Sequence, residues 1–176
     1  NFSNPSGYDL KEGVWRVAPG ESTLGGMAAK GVHMIDAMVG LAGPAQRVHA
    51  VSTRKALTVA DDTTAMLLWF GKGTSGYAAS LEATAYIWRL AVFGSKGWAE
   101  MRGQHNLVIR MNEDGEFGEV VKTYQMIDTL RLEQEAFADA INGGAPYPMT
   151  DEEIIATPAL WEAAIRSAES GETADI

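Results

Sequence analysis

Between Gly25 and Gly43 the apolar residues recur at helical spacing. On a wheel of about 100° per residue, Met27, Gly31, Met34, Ile35, Met38 and Leu41 fall within one arc. Ala28, Val32 and Val39 widen it. Lys30, His33 and Asp36 fall opposite, among Gly26, Ala29, Ala37 and Gly40. The pattern predicts one amphipathic helix, stopped by Gly43-Pro44. Its outer face lacks the usual fringe of Glu and Lys. Small residues surround one Lys, one His and one Asp there, which suits close approach by a ligand or another domain.

The period then changes to that of strands. Arg47–Thr53 alternates Val48, Ala50 and Ser52 against His49, Val51 and Thr53. Thr63–Phe70 is apolar on both faces, and Gly71-Lys72-Gly73 turns it into Ser75–Thr84. Tyr86–Phe93 is again bulky on both faces. Gly94-Ser95-Lys96-Gly97 turns it into Trp98–Arg102. Asn106–Met111 and Glu119–Gln125 flank a turn at Asn112-Glu113-Asp114-Gly115. Tight turns between consecutive strands make antiparallel pairs, so the pattern predicts a mostly antiparallel sheet of about six or seven strands.

A sheet covered on one side only should be polar on its free face. Here both faces are apolar. Thr63, Ala65, Leu67 and Trp69 share one face of their strand, and Met66, Leu68 and Phe70 the other. Tyr77, Ala79, Leu81 and Ala83 share a face of the next. The expectation is an α+β fold with helices on one sheet face and the other available for dimerisation, or else covered by long loops of the same chain.

Two helices close the chain. Thr129–Asn142 aligns Leu132, Ala136, Phe137, Ala140 and Ile141 and ends at Gly143-Gly144. Thr150-Asp151-Glu152-Glu153 fits a capping box, so a helix starts there. Pro158 is expected to interrupt or kink it. Leu160, Trp161, Ala164, Ile165 and Ala168 form its core stripe, and Gly171 stops it. Residues 1–24, with Pro5, Gly7, Gly13, Pro19 and Gly20, read as an irregular arm ahead of a domain spanning 25–176. Trp15-Arg16 is the notable pair of that arm. It either anchors the arm on the core or lines a substrate cleft beside the first helix.

Composition narrows the functional classes. The chain has 176 residues, 46% of them hydrophobic, which suits one domain with a real core. A net charge of -9 argues against a nucleic-acid or anionic-membrane surface. No cysteine is present, so disulfide and thiolate chemistry are excluded. His33, His49 and His105 lack metal-ligand spacing, and no metal site is expected. No signal peptide or run of membrane length is visible; a cytoplasmic protein fits. There is no G-x-G-x-x-G after a strand, no P-loop and no G-x-S-x-G elbow. Asp61-Asp62 reads as a solvated turn rather than a cation site. What remains is His33. Lys30 and Asp36, three residues to either side, are its neighbours on the helix surface, and an adjacent carboxylate could orient its imidazole.

Leu24-Gly25-Gly26-Met27, Gly31-Val32-His33-Met34-Ile35-Asp36 and Leu41-Ala42-Gly43 together resemble the start of the C-terminal domain of the glucose-fructose oxidoreductase / inositol dehydrogenase / MocA family. Asp61-Asp62-Thr63, Gly94-Ser95-Lys96-Gly97-Trp98, Glu135-Ala136-Phe137, Ala163-Ala164-Ile165-Arg166-Ser167 and Gly171 lie where that family has similar elements. The resemblance implies a two-domain oxidoreductase that uses NAD or NADP. An N-terminal Rossmann domain, not found in this sequence, would hold most of the cofactor and cover the Lys30/His33/Asp36 face. The present domain would supply substrate contacts and the dimer sheet, and would be inactive alone. The implied substrate is a sugar, cyclitol or related alcohol or ketone. His33 matches the histidine of the family's D-x-G-x-H pattern and is the implied catalytic base. Trp15 and Arg16 of the arm, with Lys30 and Asp36 of the helix face, are the candidate substrate contacts. The Asp position falls on Ala29, so the family's proton relay is incomplete here. The alternative is a non-catalytic ligand-binding or dimerisation module.

Overall fold

The alternating segments form one nine-stranded sheet in a computed structural model that describes residues 1–18, 20–21, 23–114 and 118–176. The strands are β1 (Phe2–Ser3), β2 (Ala45–Thr53), β3 (Thr63–Phe70), β4 (Ser75–Leu81), β5 (Ile87–Gly94), β6 (Gly97–Arg102), β7 (Asn106–Met111), β8 (Val120–Thr123) and β9 (Ala174–Asp175). The helices are α1 (Val32–Ala42), α2 (Thr129–Ile141) and α3 (Asp151–Ser170). The spatial order is β8-β7-β6-β5-β1-β4-β3-β2-β9. Every pair is antiparallel except β1 with β4. The fold is the expected α+β arrangement. The two strands beyond the expected number, β1 and β9, have two residues each, too few to show any alternation. β1 lies in the arm that reads as irregular, yet it occupies the centre of the sheet. Pro19 and Gly115, read as turn residues, lie outside the described residues.

The core sits between the β2–β4 half of the sheet and the pair α1/α3. Val48, Ala50, Met66, Leu68, Phe70 and Ala78 are buried against Ile35, Val39, Leu160, Ala163 and Ala164. These are the alternate residues of each strand, as period-2 patterning requires. Their neighbours point the other way, and Val51, Leu67 and Tyr77 stay exposed. Where β9 ends beside β2, the Ser167 hydroxyl takes over the edge and accepts the Ala50 N–H at 2.9 Å.

α3 starts with the expected capping box: Thr150 Oγ1 accepts the Glu153 N–H, and Glu153 accepts the Thr150 N–H at 2.8 Å. It runs unbroken through Pro158, against the expectation of an interruption. The neighbouring Thr157 and Leu160 are buried, and tertiary packing outweighs one missing helical hydrogen bond. α2 has no buried residue. Its expected apolar stripe, including Leu132, Phe137 and Ile141, is exposed.

Candidate functional site at the start of the first helix

The helix predicted over Gly25–Gly43 begins with a π-helical turn, Met27–Gly31, that leads directly into α1. Two glycines allow that start. Gly25 has φ +57° and lies so close to the Asp61 carbonyl that a Cβ would overlap it. A Cβ on Gly26 would overlap the Glu82 side chain. Met27, Gly31, Met34, Ile35 and Val39 are buried, whereas Ala29, Lys30, His33 and Asp36 are exposed. The wheel therefore assigns both faces correctly, apart from Leu41, which is 63% exposed. Single π-turns inside helices are frequent at functional sites.

The loop that meets Gly25 is held by Asp62. Its carboxylate is buried and accepts the N–H groups of Lys55, Ala56 and Leu57 at 3.0, 2.7 and 2.7 Å, and the Thr63 hydroxyl at 2.8 Å. Burial pulls its pKa upward, but these four donors outweigh it and hold the group at about 2. The Asp61-Asp62 pair is thus not the solvated turn expected from sequence: its second carboxylate organises the loop from inside. The Asp62 carbonyl accepts the Glu82 N–H at 2.9 Å. Glu82 is itself buried and accepts the Asn4 amide at 3.0 Å.

β1 brings an aromatic cluster beside the exposed face of the helix. Phe2 meets Trp88 edge-on at 5.5 Å and Tyr86 edge-on at 6.3 Å. The His33 ring lies 6.3 Å from that of Trp88, tilted by 33°. Lys30 Nζ stands 5.8 Å from the Phe2 ring centre. A histidine, an ammonium and the accessible rings of Tyr86 and Trp88, backed by a buried Phe2, are thereby gathered over β1 and β5. Tyr86 and Trp88 were visible within the bulky segment Tyr86–Phe93. Phe2 was not, because its pairing with β5 is long-range.

Asp36 does not turn to His33. Its carboxylate accepts the Thr157 hydroxyl of α3 at 2.7 Å. Trp15 and Arg16 lie elsewhere, in a short 3-10 turn with the guanidinium 4.6 Å from the indole centre. Arg16 lines a cavity of about 300 Å³ with Leu24, Arg54, Asp61 and Ile165. Lys30, His33 and Asp36 do not line that cavity.

The geometry offers an exposed imidazole beside a ring platform, suited to a small polar ligand with an apolar side and a proton to transfer. A family model described as "Oxidoreductase family, C-terminal alpha/beta domain" matches residues 5–176. No curated protein matches the chain. Among solved structures, a provisionally assigned NADPH-dependent oxidoreductase from Desulfitobacterium hafniense is 25% identical with a TM-score of 0.88. That match covers 99% of this chain and 54% of the other. An aldose-aldose oxidoreductase from Caulobacter crescentus, complexed with glycerol, is 18% identical with a TM-score of 0.76, covering 95% and 52%. A levoglucosan dehydrogenase complexed with NADH is 17% identical with a TM-score of 0.77, covering 99% and 56%. The last two share the fold. The chain spans about half the length of each of these proteins.

Proposed function

The chain belongs to the Gfo/Idh/MocA oxidoreductase family, as its C-terminal alpha/beta domain, and from that premise we propose that it forms the substrate-binding half of a cytoplasmic NAD- or NADP-dependent enzyme that interconverts a sugar- or polyol-like alcohol and its ketone. The observation that supports this reading is the exposed His33 beside Trp88, the residue that the resemblance matches to the family histidine.

No glycine-rich phosphate loop occurs in these residues, so the dinucleotide would be gripped mainly by a nucleotide-binding domain in the intact protein. The nicotinamide supplies the hydride acceptor or donor. In the oxidation direction His33 takes the proton of the substrate hydroxyl as the carbinol C–H bond breaks, and the carbonyl forms. Lys30 would hydrogen-bond substrate oxygens, and Tyr86 and Trp88, held by the buried Phe2, would pack against the carbon face. Ala29 has no group to share the proton. Without that nucleotide-binding domain the 176 residues are expected to bind substrate without turning it over. The open sheet face, with Leu67 and Tyr77, is the surface we assign to self-association.

The test is turnover of a panel of sugars and polyols by the intact protein with NAD and NADP. His33→Ala should lower kcat by about 10² or more, the usual size of a general-base effect. Unchanged turnover would remove His33 from the mechanism. Ala29 favours a second reading, a ligand-binding module without catalysis. Calorimetric binding of a polyol with no change in nicotinamide absorbance would select it.

A further inference from the structure

Leu41 belongs to the apolar arc of the first helix yet is 63% exposed. The cause is a gap in the middle of the sheet. β1 separates β4 from β5 but spans only Phe2 and Ser3, opposite Ser80 and Leu81 on β4 and Trp88 and Ile87 on β5. β4 begins well before this point, at Ser75, and β5 runs well past it, to Gly94. Between these two stretches lies a cavity of about 340 Å³. Gly76 and Tyr77 wall one side, Ala91 and Phe93 the other, and Met38 and Leu41 of α1 roof it.

The gap is one strand wide, because β1 already fits at its end. Its walls are also chemically strand-like. The Arg89 N–H donates to the Asn1 carbonyl at 2.9 Å, so it points toward β1. Along a strand every second residue aims its N–H and C=O the same way, which directs those of Ala91 and Phe93 into the gap. The same alternation aims the Tyr77 groups into it from β4, since the Leu81 carbonyl accepts the Asn4 N–H on that side. Two facing rows of backbone donors and acceptors inside a sheet call for a strand between them.

We propose that this slot holds an extended segment of the same polypeptide: the residues immediately N-terminal to Asn1 in the intact protein, which lengthen β1 into a full central strand. The register supports one length from both sides. Asn1 lies opposite Ala79 and Arg89, by extension of the β1 pairing. Four more residues then meet Ala78, Tyr77, Gly76 and Ser75 on β4, and the same four meet Leu90, Ala91, Val92 and Phe93 on β5. Phe2 faces the helices, so the residue just before Asn1, and the one two positions earlier, face α1. They are apolar and cover Met38 and Leu41. The assignment does not depend on the reaction proposed above.

Hydrogen exchange followed by NMR on the intact protein tests it. The Ala91 and Phe93 amides should exchange at least about 10²-fold more slowly than the outward amides of the edge strand β8. Exchange at the β8 rate overturns the proposal. So does protection that vanishes on dilution, which would give the slot to a second copy of the chain. A second measurement is the melting temperature of Leu41→Glu in the intact protein. A charge forced beneath an inserted strand should lower Tm by about 5 °C or more, whereas a change within about 1 °C would leave Leu41 at the surface and overturn the proposal.

Discussion

The Thr157 hydroxyl donates a 2.7 Å hydrogen bond to the Asp36 carboxylate. It ties the exposed face of α1 to α3 from 121 residues away, next to the one proline in either helix. Thr157 is buried and Asp36 exposed, so the bond is charge-assisted but open to solvent on one side. Thr157→Val should cost about 1 kcal/mol in urea denaturation, below the usual range for a buried bond to a charged group. A double-mutant cycle with Asp36→Ala should return a coupling of similar size. Additive losses would mean that the two side chains act separately.

Asp62 makes stability depend on acid. Its folded pKa of about 2 lies below its ordinary 3.8. A carboxylate depressed on folding stabilises the protein above its unfolded pKa, and the contribution fades as pH falls from about 4 through about 2. The contribution at neutral pH is on the order of 2 kcal/mol. Asp62→Asn should therefore be less stable at pH 7, and its deficit should shrink as denaturation is repeated down to about pH 2.5. A deficit constant with pH would assign the loss to packing alone.

Much of this was legible because it is periodic. Val48/Ala50 against His49/Val51, and Met66/Leu68 against Leu67/Trp69, separate onto two faces by spacing alone. The same logic put Lys30, His33 and Asp36 on the exposed side of the first helix. What stayed hidden depends on contacts across the chain. Phe2 joins the centre of the sheet through residues some 80 positions away, with two residues and no pattern to announce it. Asp62 looks like any turn acid until the Lys55, Ala56 and Leu57 amides converge on it. Asp36 has a helical neighbour in His33, but its bond goes to Thr157. Trp15-Arg16 left two readings open, and the structure places Arg16 on the wall of a cavity it shares with Asp61 and Ile165, one that His33 does not line.

Glu100 is buried on the open sheet face between two half-exposed arginines. It pairs with Arg89 from β5, and with Arg102 from its own strand at 2.8 Å. Arg89 and Arg102 are cross-strand partners; without the carboxylate, two like charges would face each other directly. Glu100→Ala should destabilise by about 2 kcal/mol in denaturant unfolding, less than a fully buried pair because both arginines reach solvent. Glu100→Gln keeps an acceptor for only one of the two arginines and should recover only a small part of the loss. An equal loss in both would point to charge alone.

The same face provides the test of self-association. Val51, Leu67, Tyr77, Leu81, Ile87 and Phe93 are all 38% or more exposed. Cross-strand register puts them on one side: Leu67 opposite Tyr77, and Leu81 and Ile87 both opposite Ser3. At the margin Arg47 stacks over Trp69 at 5.3 Å, a polar edge around an apolar centre, as protein interfaces have. A stable interface needs about 800 Å² from each partner, which a face of several strands can supply. Two-fold symmetry places each residue in the contact twice, so a charge near the centre meets its own copy. Leu67→Glu and Tyr77→Glu should each convert the intact protein from dimer to monomer in analytical ultracentrifugation at about 10 µM, a loss of at least about tenfold in affinity. Sedimentation of the unsubstituted protein as a monomer at that concentration would remove this face as a dimer interface, and would leave its exposed apolar side chains to a different partner.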